Sequence, residues 1–346
     1  MYTRSSPFCQ QSVDSKMKLL IAFSVLLLAG ITTAAPTKDA DDGIVTITKE
    51  FFPKSFIKYK SKHDIVSIVV PVNSLNFDEN ESSSSEDDAD VTFFFVEADV
   101  NADGKRTYKG LYVYKNGKAT KILDDGRDAA ASADNSKQVF FAAKDGIYEY
   151  KSSTNEAVKY GSVTDSIIGI AKTNHTDVIY ILTEGHELYK VTNAGTVKTK
   201  VEEVVNAQEI VLDYSDNVYF YGEDKKPYVL TPTGLKGIEG LPSNPTNVKL
   251  ARPPFVIDDG VPFIVDNAAY IIYANGSSEH SEFEFQPDAK PTAYGMEAAL
   301  IQYFAYDKNI YEYNILVMVL GEIMEELKIF LEEKSSAIQS LASQKR

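Results

Sequence analysis

Gln138-Val139-Phe140-Phe141-Ala142-Ala143-Lys144-Asp145-Gly146-Ile147-Tyr148-Glu149-Tyr150 joins an apolar, β-rich run to a tyrosine-rich one through an Asp-Gly turn. The same text returns as Val178–Tyr189, Val218–Asp224, Pro262–Tyr270 and Ile301–Tyr311. Anchored on residues 140, 180, 219, 263 and 303, the copies are spaced by 40, 39, 44 and 40 residues. A period of ~40–45 residues with several strands per copy is that of a propeller blade. Val91–Val96 followed by Leu111–Tyr114 supplies a sixth copy. The expected fold is therefore all-β, a six-bladed β-propeller over residues 44–314, followed by a C-terminal helical tail.

Each copy is preceded by a further β signal: Ala129–Ala133, Ile167–Ala171, Ile210–Tyr214, Phe255–Ile257 and Ala293–Ala298. Their small residues suit the crowding near an axis, so these are the expected innermost strands. Asn116-Gly117, Asp145-Gly146, Ala194-Gly195 and Asp259-Gly260 mark the turns. Ile44–Thr48 is β-branched and is the expected terminal strand that completes the last blade. Aromatic usage agrees with sheet: 21 Tyr, 18 Phe and no Trp, residues that pack well on pleated surfaces.

The ends read differently. Met17-Lys18, the apolar run Leu19–Ile31 and Thr32-Thr33-Ala34-Ala35 have the layout of a secretory signal peptide. Residues 1–34 are the expected leader, with Met17 the expected start and cleavage after Ala34. The run is short of the ~17–25 apolar residues that span a bilayer. Residues 35–43 form a polar lead-in. With the leader goes Cys9, the only cysteine, so disulfide and thiol chemistry are excluded from the remainder. The leader carries Arg4, Lys16, Lys18 and Asp14, a net +2, so the formal −15 of the whole chain becomes about −17 without it. So acidic a protein is a poor partner for nucleic acid or an anionic membrane. Asn80, Asn174 and Asn275 head N-glycosylation sequons; Pro245 blocks a fourth at Asn244.

Asp78–Asp90 holds seven acids and four serines, a composition that buries nothing and reads as a solvated loop. A phosphoserine cluster that binds Ca²⁺ is the sharper alternative. Asp99–Gly104 opens like a calcium loop, but the twelfth position is Gly110 where a bidentate carboxylate is needed; it reads as a hairpin tip. Beyond Asn314, Leu316, Leu320, Ile323, Leu327 and Phe330 form a narrow apolar stripe at helical spacing. Residues 315–346 are the expected helical tail, docked on the propeller or used for self-association.

Catalytic patterns are missing. His63, His175, His186 and His280 are the only histidines, none beside a nucleophile motif and no two at zinc-ligand spacing. No glycine-rich phosphate loop occurs. These patterns predict no catalytic residue and no metal ligand. The enzymatic alternative is a calcium-dependent, lactonase-like hydrolase with Asp134, Asp165, Asp213, Asp258 and Glu297 at inner strands; turn and strand-end chemistry accounts for the same residues. A matrix or protein-interaction propeller is a third reading.

Asp145–Tyr150 with Asn155-Glu156-Ala157, the run Ile210–Phe220 and the secretory leader resemble the ommochrome-binding protein family of moths and butterflies. The likeness covers roughly residues 44–314. It implies a secreted haemolymph protein, not an enzyme, that carries a planar, anionic, tryptophan-derived phenoxazinone pigment and needs no cofactor. Which residues would contact that pigment is left open by the repeat.

Overall fold

The computed structural model describes residues 37–38, 44–71, 91–132, 136–254, 257, 259–296 and 301–314. The expected leader, the acidic loop with Asn80, and the helical tail lie outside these residues, and of the polar lead-in only Thr37 and Lys38 lie within them.

Six sheets, each built on an antiparallel blade, follow one another along the chain. Blade one comprises Asp64–Val69, Phe93–Val100, Arg106–Lys115 and Lys118–Leu123; blade two comprises Gly126–Ala131, Val139–Ala143, Gly146–Lys151 and Glu156–Tyr160. Blade three runs Ile167–Lys172, Ile179–Thr183, Leu188–Thr192 and Val197–Lys200, and blade four Glu209–Leu212, Val218–Tyr221, Pro227–Thr231 and Gly234–Gly237. Blade five holds Val248–Leu250, Gly260–Val265, Ala268–Tyr273 and Ser278–Phe285; blade six holds Ala293–Met296, Ile301–Tyr306 and Asn309–Asn314. The first strands of blades one to five touch in succession, and that of blade six touches that of blade one. The six sheets thus form a propeller around an axis lined by first strands.

The repeat owes its spacing to the second strands. Phe140, Tyr219, Phe263 and Tyr303 are buried there, while Tyr180 is half-buried. Each second strand is apolar on both faces because each packs against the blades on either side. The core is correspondingly divided into six clusters among the described residues, each shared by two adjacent blades. Phe94, Phe141 and Tyr150 interlock between blades one and two, with centroids 4.8 Å apart for Phe94–Tyr150. Phe93 stacks on Tyr114 at 4.7 Å and meets Tyr303 at 4.5 Å across the junction of blades six and one. Buried tyrosine hydroxyls find acceptors: Tyr303 donates to Glu312 at 2.8 Å. Most of the conspicuous tyrosines serve this packing.

Two expectations about strands are corrected. Ile57–Lys60, not Ile44–Thr48, closes the ring by pairing antiparallel with Asn309–Asn314 in blade six. Only Ser61–His63 separate Lys60 from the first strand of blade one, so the closing strand has to be its immediate predecessor. Val45–Ile47 instead lies parallel to Ser278–Phe285 at the outside of blade five. Between them Phe51 and Phe52 cross the two blades, stacked on Tyr313 at 5.0 Å and on Tyr306 at 4.2 Å. The second correction concerns blade five, whose first strand is Val248–Leu250 rather than Phe255–Ile257. Pro253 and Pro254 have no amide to offer a ladder, and the strand ends before them.

Asn116 (φ 50°) and Gly117 (φ 71°) both occupy the left-handed region of a two-residue hairpin turn. Among the described residues no helix is long and apolar enough to cross a membrane.

Candidate ligand-binding funnel

The axis is hollow at one end. A cavity of about 470 Å³ is lined by residues from all six first strands, including Ser67, Asp128, Gly169, Glu209, Lys249 and Ala293. It lies on the face that carries the turns between second and third strands, which contribute Glu184 and His186. The blade-one hairpin is the longest of these, with strands Phe93–Val100 and Arg106–Lys115. Its tip brings Gly104, Lys105, Arg106 and Tyr108 to the cavity wall. Asp99–Gly104 is thus a hairpin tip, closed by the Asn101 side chain on the Lys105 amide at 2.8 Å.

Five cations line the funnel: Lys105, Arg106, Arg127, Lys249 and Arg252. They share it with three carboxylates, Asp128, Glu184 and Glu209, a local excess of positive charge in a chain of net −15. The carboxylates have structural work. A first strand presents an unpaired edge to the axis, and its buried amides need acceptors. Asp128 of blade two accepts the Ile170 amide of blade three at 3.0 Å, and Glu209 of blade four accepts the Leu250 amide of blade five at 3.0 Å. Glu184 receives Ser166 at 2.6 Å and Arg127 at 3.4 Å.

Two of the cations are committed as well. Arg127 lies over the Tyr108 ring, 5.4 Å from its centroid. Arg252 spans the axis, donating to Ser67 Oγ at 3.3 Å, the Ile68 carbonyl at 3.1 Å, Asp128 at 3.0 Å and the Ala129 carbonyl. It lines both the funnel and a smaller cavity of about 120 Å³ toward the opposite end of the axis, and so forms the floor of the funnel. Lys105, Arg106 and Lys249 form no ion pair with any carboxylate among the described residues.

Lys249 is the most perturbed of these cations. Its ammonium donates to the Thr292 carbonyl of the next blade. Protein atoms surround it deep in the funnel, though the side chain keeps some contact with solvent. Burial, aided by Arg106 and Arg252 and opposed by Glu209, brings its pKa down to about 8. Tyr221 and Tyr294 also face the cavity; burial raises both hydroxyls, so they stay protonated donors. With Tyr108 they provide three aromatic faces beside the cations.

Two of the acidic residues expected at inner strands, Asp213 and Asp165, do not line the funnel. Asp213 borders the small cavity, and its oxygens accept the Ser215 amide at 3.0 Å, the Asn217 amide at 2.8 Å, Asn217 Nδ2 at 2.8 Å and the Tyr219 hydroxyl at 3.1 Å. It organises the turn from first to second strand in blade four. Asp165 is paired with Lys198 at 2.8 Å. Asp134, Asp258 and Glu297 lie outside the described residues. No cluster of three or more potential metal ligands occurs among the described residues. The histidines are dispersed: His63 on Asp99 at 2.6 Å, His175 on Asp216 at 3.2 Å, His186 on the Ala207 carbonyl at 2.8 Å, and His280 edge-on to Tyr270. Of the sequon asparagines, Asn275 is exposed in a hairpin turn, whereas half-buried Asn174 spends its side-chain amide on the Tyr214 carbonyl at 3.2 Å.

No family model matches the chain, and no curated protein matches it in sequence. The funnel is therefore read from its own chemistry.

Proposed function

We propose that this chain is a secreted, non-enzymatic binding and carrier protein for a small, planar, aromatic anion of the ommochrome type, held in the axial funnel. The observation that carries this reading is the convergence of Lys105, Arg106 and Lys249 with Tyr108, Tyr221 and Tyr294 on one cavity. Cavities of ~300–1,000 Å³ with apolar walls and a few placed polar groups suit ligands of that size. Cations that form no ion pair among the described residues supply the counter-charge that an acidic chain otherwise lacks, and a confined site focuses their field. Tyrosine faces and hydroxyls supply stacking and hydrogen bonds to a flat conjugated ring.

Titration of the purified protein with xanthommatin, followed by visible absorbance, tests the reading. The expected result is a saturable one-to-one spectral change that weakens at least tenfold in a Lys105→Glu/Arg106→Glu variant. A spectrum indifferent to the pigment, or equal binding by the variant, overturns it.

A further inference from the structure

Among the described residues, Lys249 alone of the funnel cations joins a seat deep in the cavity to an amine in no ion pair. It stands on the short first strand of blade five, between Val248 and Leu250, both buried. The strand fixes the stem, and the Thr292 carbonyl fixes the ammonium. Arg106 and Arg252 face it as like charges, and Glu209 as an opposite one held by the Leu250 amide. Surface lysines here are bound differently: Lys198, Lys200 and Lys159 each pair with a carboxylate within 3 Å.

We infer that Lys249 is a reversible covalent capture site for small anionic aromatic aldehydes that enter the funnel. The inference rests on the same reading of the funnel as a site for aromatic anions. Lys105 and Arg106 neutralise the anionic group, the tyrosines hold the ring, and the carbonyl carbon is presented to Nζ. The neutral amine adds its lone pair to that carbon, forming a C–N bond and opening the C=O π bond, while nitrogen loses one proton and the oxygen gains one. The carbinolamine hydroxyl is then protonated and leaves as water, and nitrogen loses its second proton, leaving a C=N bond. One water is released and nothing is oxidised or reduced. Solvent in the open funnel supplies and receives the protons. A pKa of about 8 leaves roughly a tenth of this amine unprotonated at pH 7, against well under a thousandth for an ordinary lysine.

The test uses the full chain and pyridoxal 5′-phosphate, an anionic aromatic aldehyde, with borohydride to fix any imine and peptide mass spectrometry to locate it. Pyridoxine 5′-phosphate, the alcohol that cannot form an imine, reports non-covalent binding in parallel. The expected result is an adduct at Lys249 at least tenfold above that at any other lysine, rising with pH through about 8. A Lys249→Arg variant should lose this adduct. Even labelling over many lysines, with pyridoxine 5′-phosphate bound, overturns covalent capture and leaves the funnel as an anion site. Absence of both selective labelling and pyridoxine 5′-phosphate binding overturns both.

Discussion

Replacing Arg252 by Met removes the guanidinium from the axis while keeping most of its stem. The side chain makes four contacts there, to Ser67, Ile68, Asp128 and Ala129. Asp128 is then left with only the Ser67 hydroxyl at 2.8 Å and the Ile170 amide at 3.0 Å, on a side chain 16% exposed. Breaking a fully buried pair costs ~3–5 kcal/mol, mostly for the orphaned charge, and a surface pair ~0–1 kcal/mol. Arg252 itself is 33% exposed and borders the funnel, so the expected loss is about 2–3 kcal/mol. For a domain of this size that lowers Tm by roughly 4–8 °C. The chain has 21 Tyr and no Trp, so urea unfolding is followed by tyrosine fluorescence and far-UV circular dichroism. A second substitution, Asp128→Asn, removes the stranded charge and should restore at least half of the loss in the Arg252→Met background. An Arg252→Met protein within 0.5 kcal/mol of the parent would refute the reasoning. So would a double variant no more stable than the single one, since the cost would then not come from an unpaired carboxylate.

Further outcomes follow from other parts of the molecule. Asp213→Ala strips acceptors from Asn217 and from the buried Tyr219 hydroxyl; it should cost about 2–3 kcal/mol in urea unfolding, equally with and without chelator. Affinity for an aromatic anion should fall as pH rises through about 8, because Lys249 then loses its charge; one charge at near-aqueous dielectric is worth ~1 kcal/mol, or about fivefold. Lys249→Met should flatten that profile in a pH series of binding titrations. Stability has the opposite sign: between pH 8 and the ordinary lysine range the unfolded chain binds the extra proton, so stability from this group rises with pH. In a eukaryotic secretory host, glycopeptide mapping should find Asn275 occupied and Asn174 bare, since only the former has its amide clear of the fold.

Blade architecture was legible because buried second strands repeat the same requirement every 40 or so residues. An aromatic or aliphatic pair such as Phe140-Phe141 must fill a wedge between two sheets, and an Asp-Gly or Asn-Gly pair must turn the chain. Closure was not legible from composition, since Ile44–Thr48 and Ile57–Lys60 are both short and β-compatible. Chain length after Lys60, which leaves three residues to reach blade one, decides between them. The blade-five inner strand was hidden for a related reason: Phe255–Ile257 is the more apolar run, but Pro253 and Pro254 precede it. The funnel was hidden altogether. Lys105 and Arg106 stand in an ordinary hairpin tip, Lys249 on a three-residue strand, and nothing local marks them as neighbours. They meet because ring closure folds blade one back toward blade five. Carboxylates misled in the opposite direction: Asp213 sits in a conspicuous strand-end motif and is consumed by its own turn, whereas Asp128 and Glu209 cap the amides of adjacent blades.

Closure by Ile57–Lys60 also imposes a schedule on synthesis. Tyr59 pairs with Ile310, so the first strand needed for the ring emerges from the ribosome about 250 residues ahead of its partner. At ~5–20 residues per second that is a wait of roughly 10–50 s. During it, Phe51, Phe52 and Phe56 have none of the blade-six aromatics that finally cover them. The earliest apolar segment of the propeller is therefore the last to be put away, and the newborn chain must be kept from aggregating through it until residue 314 has been made.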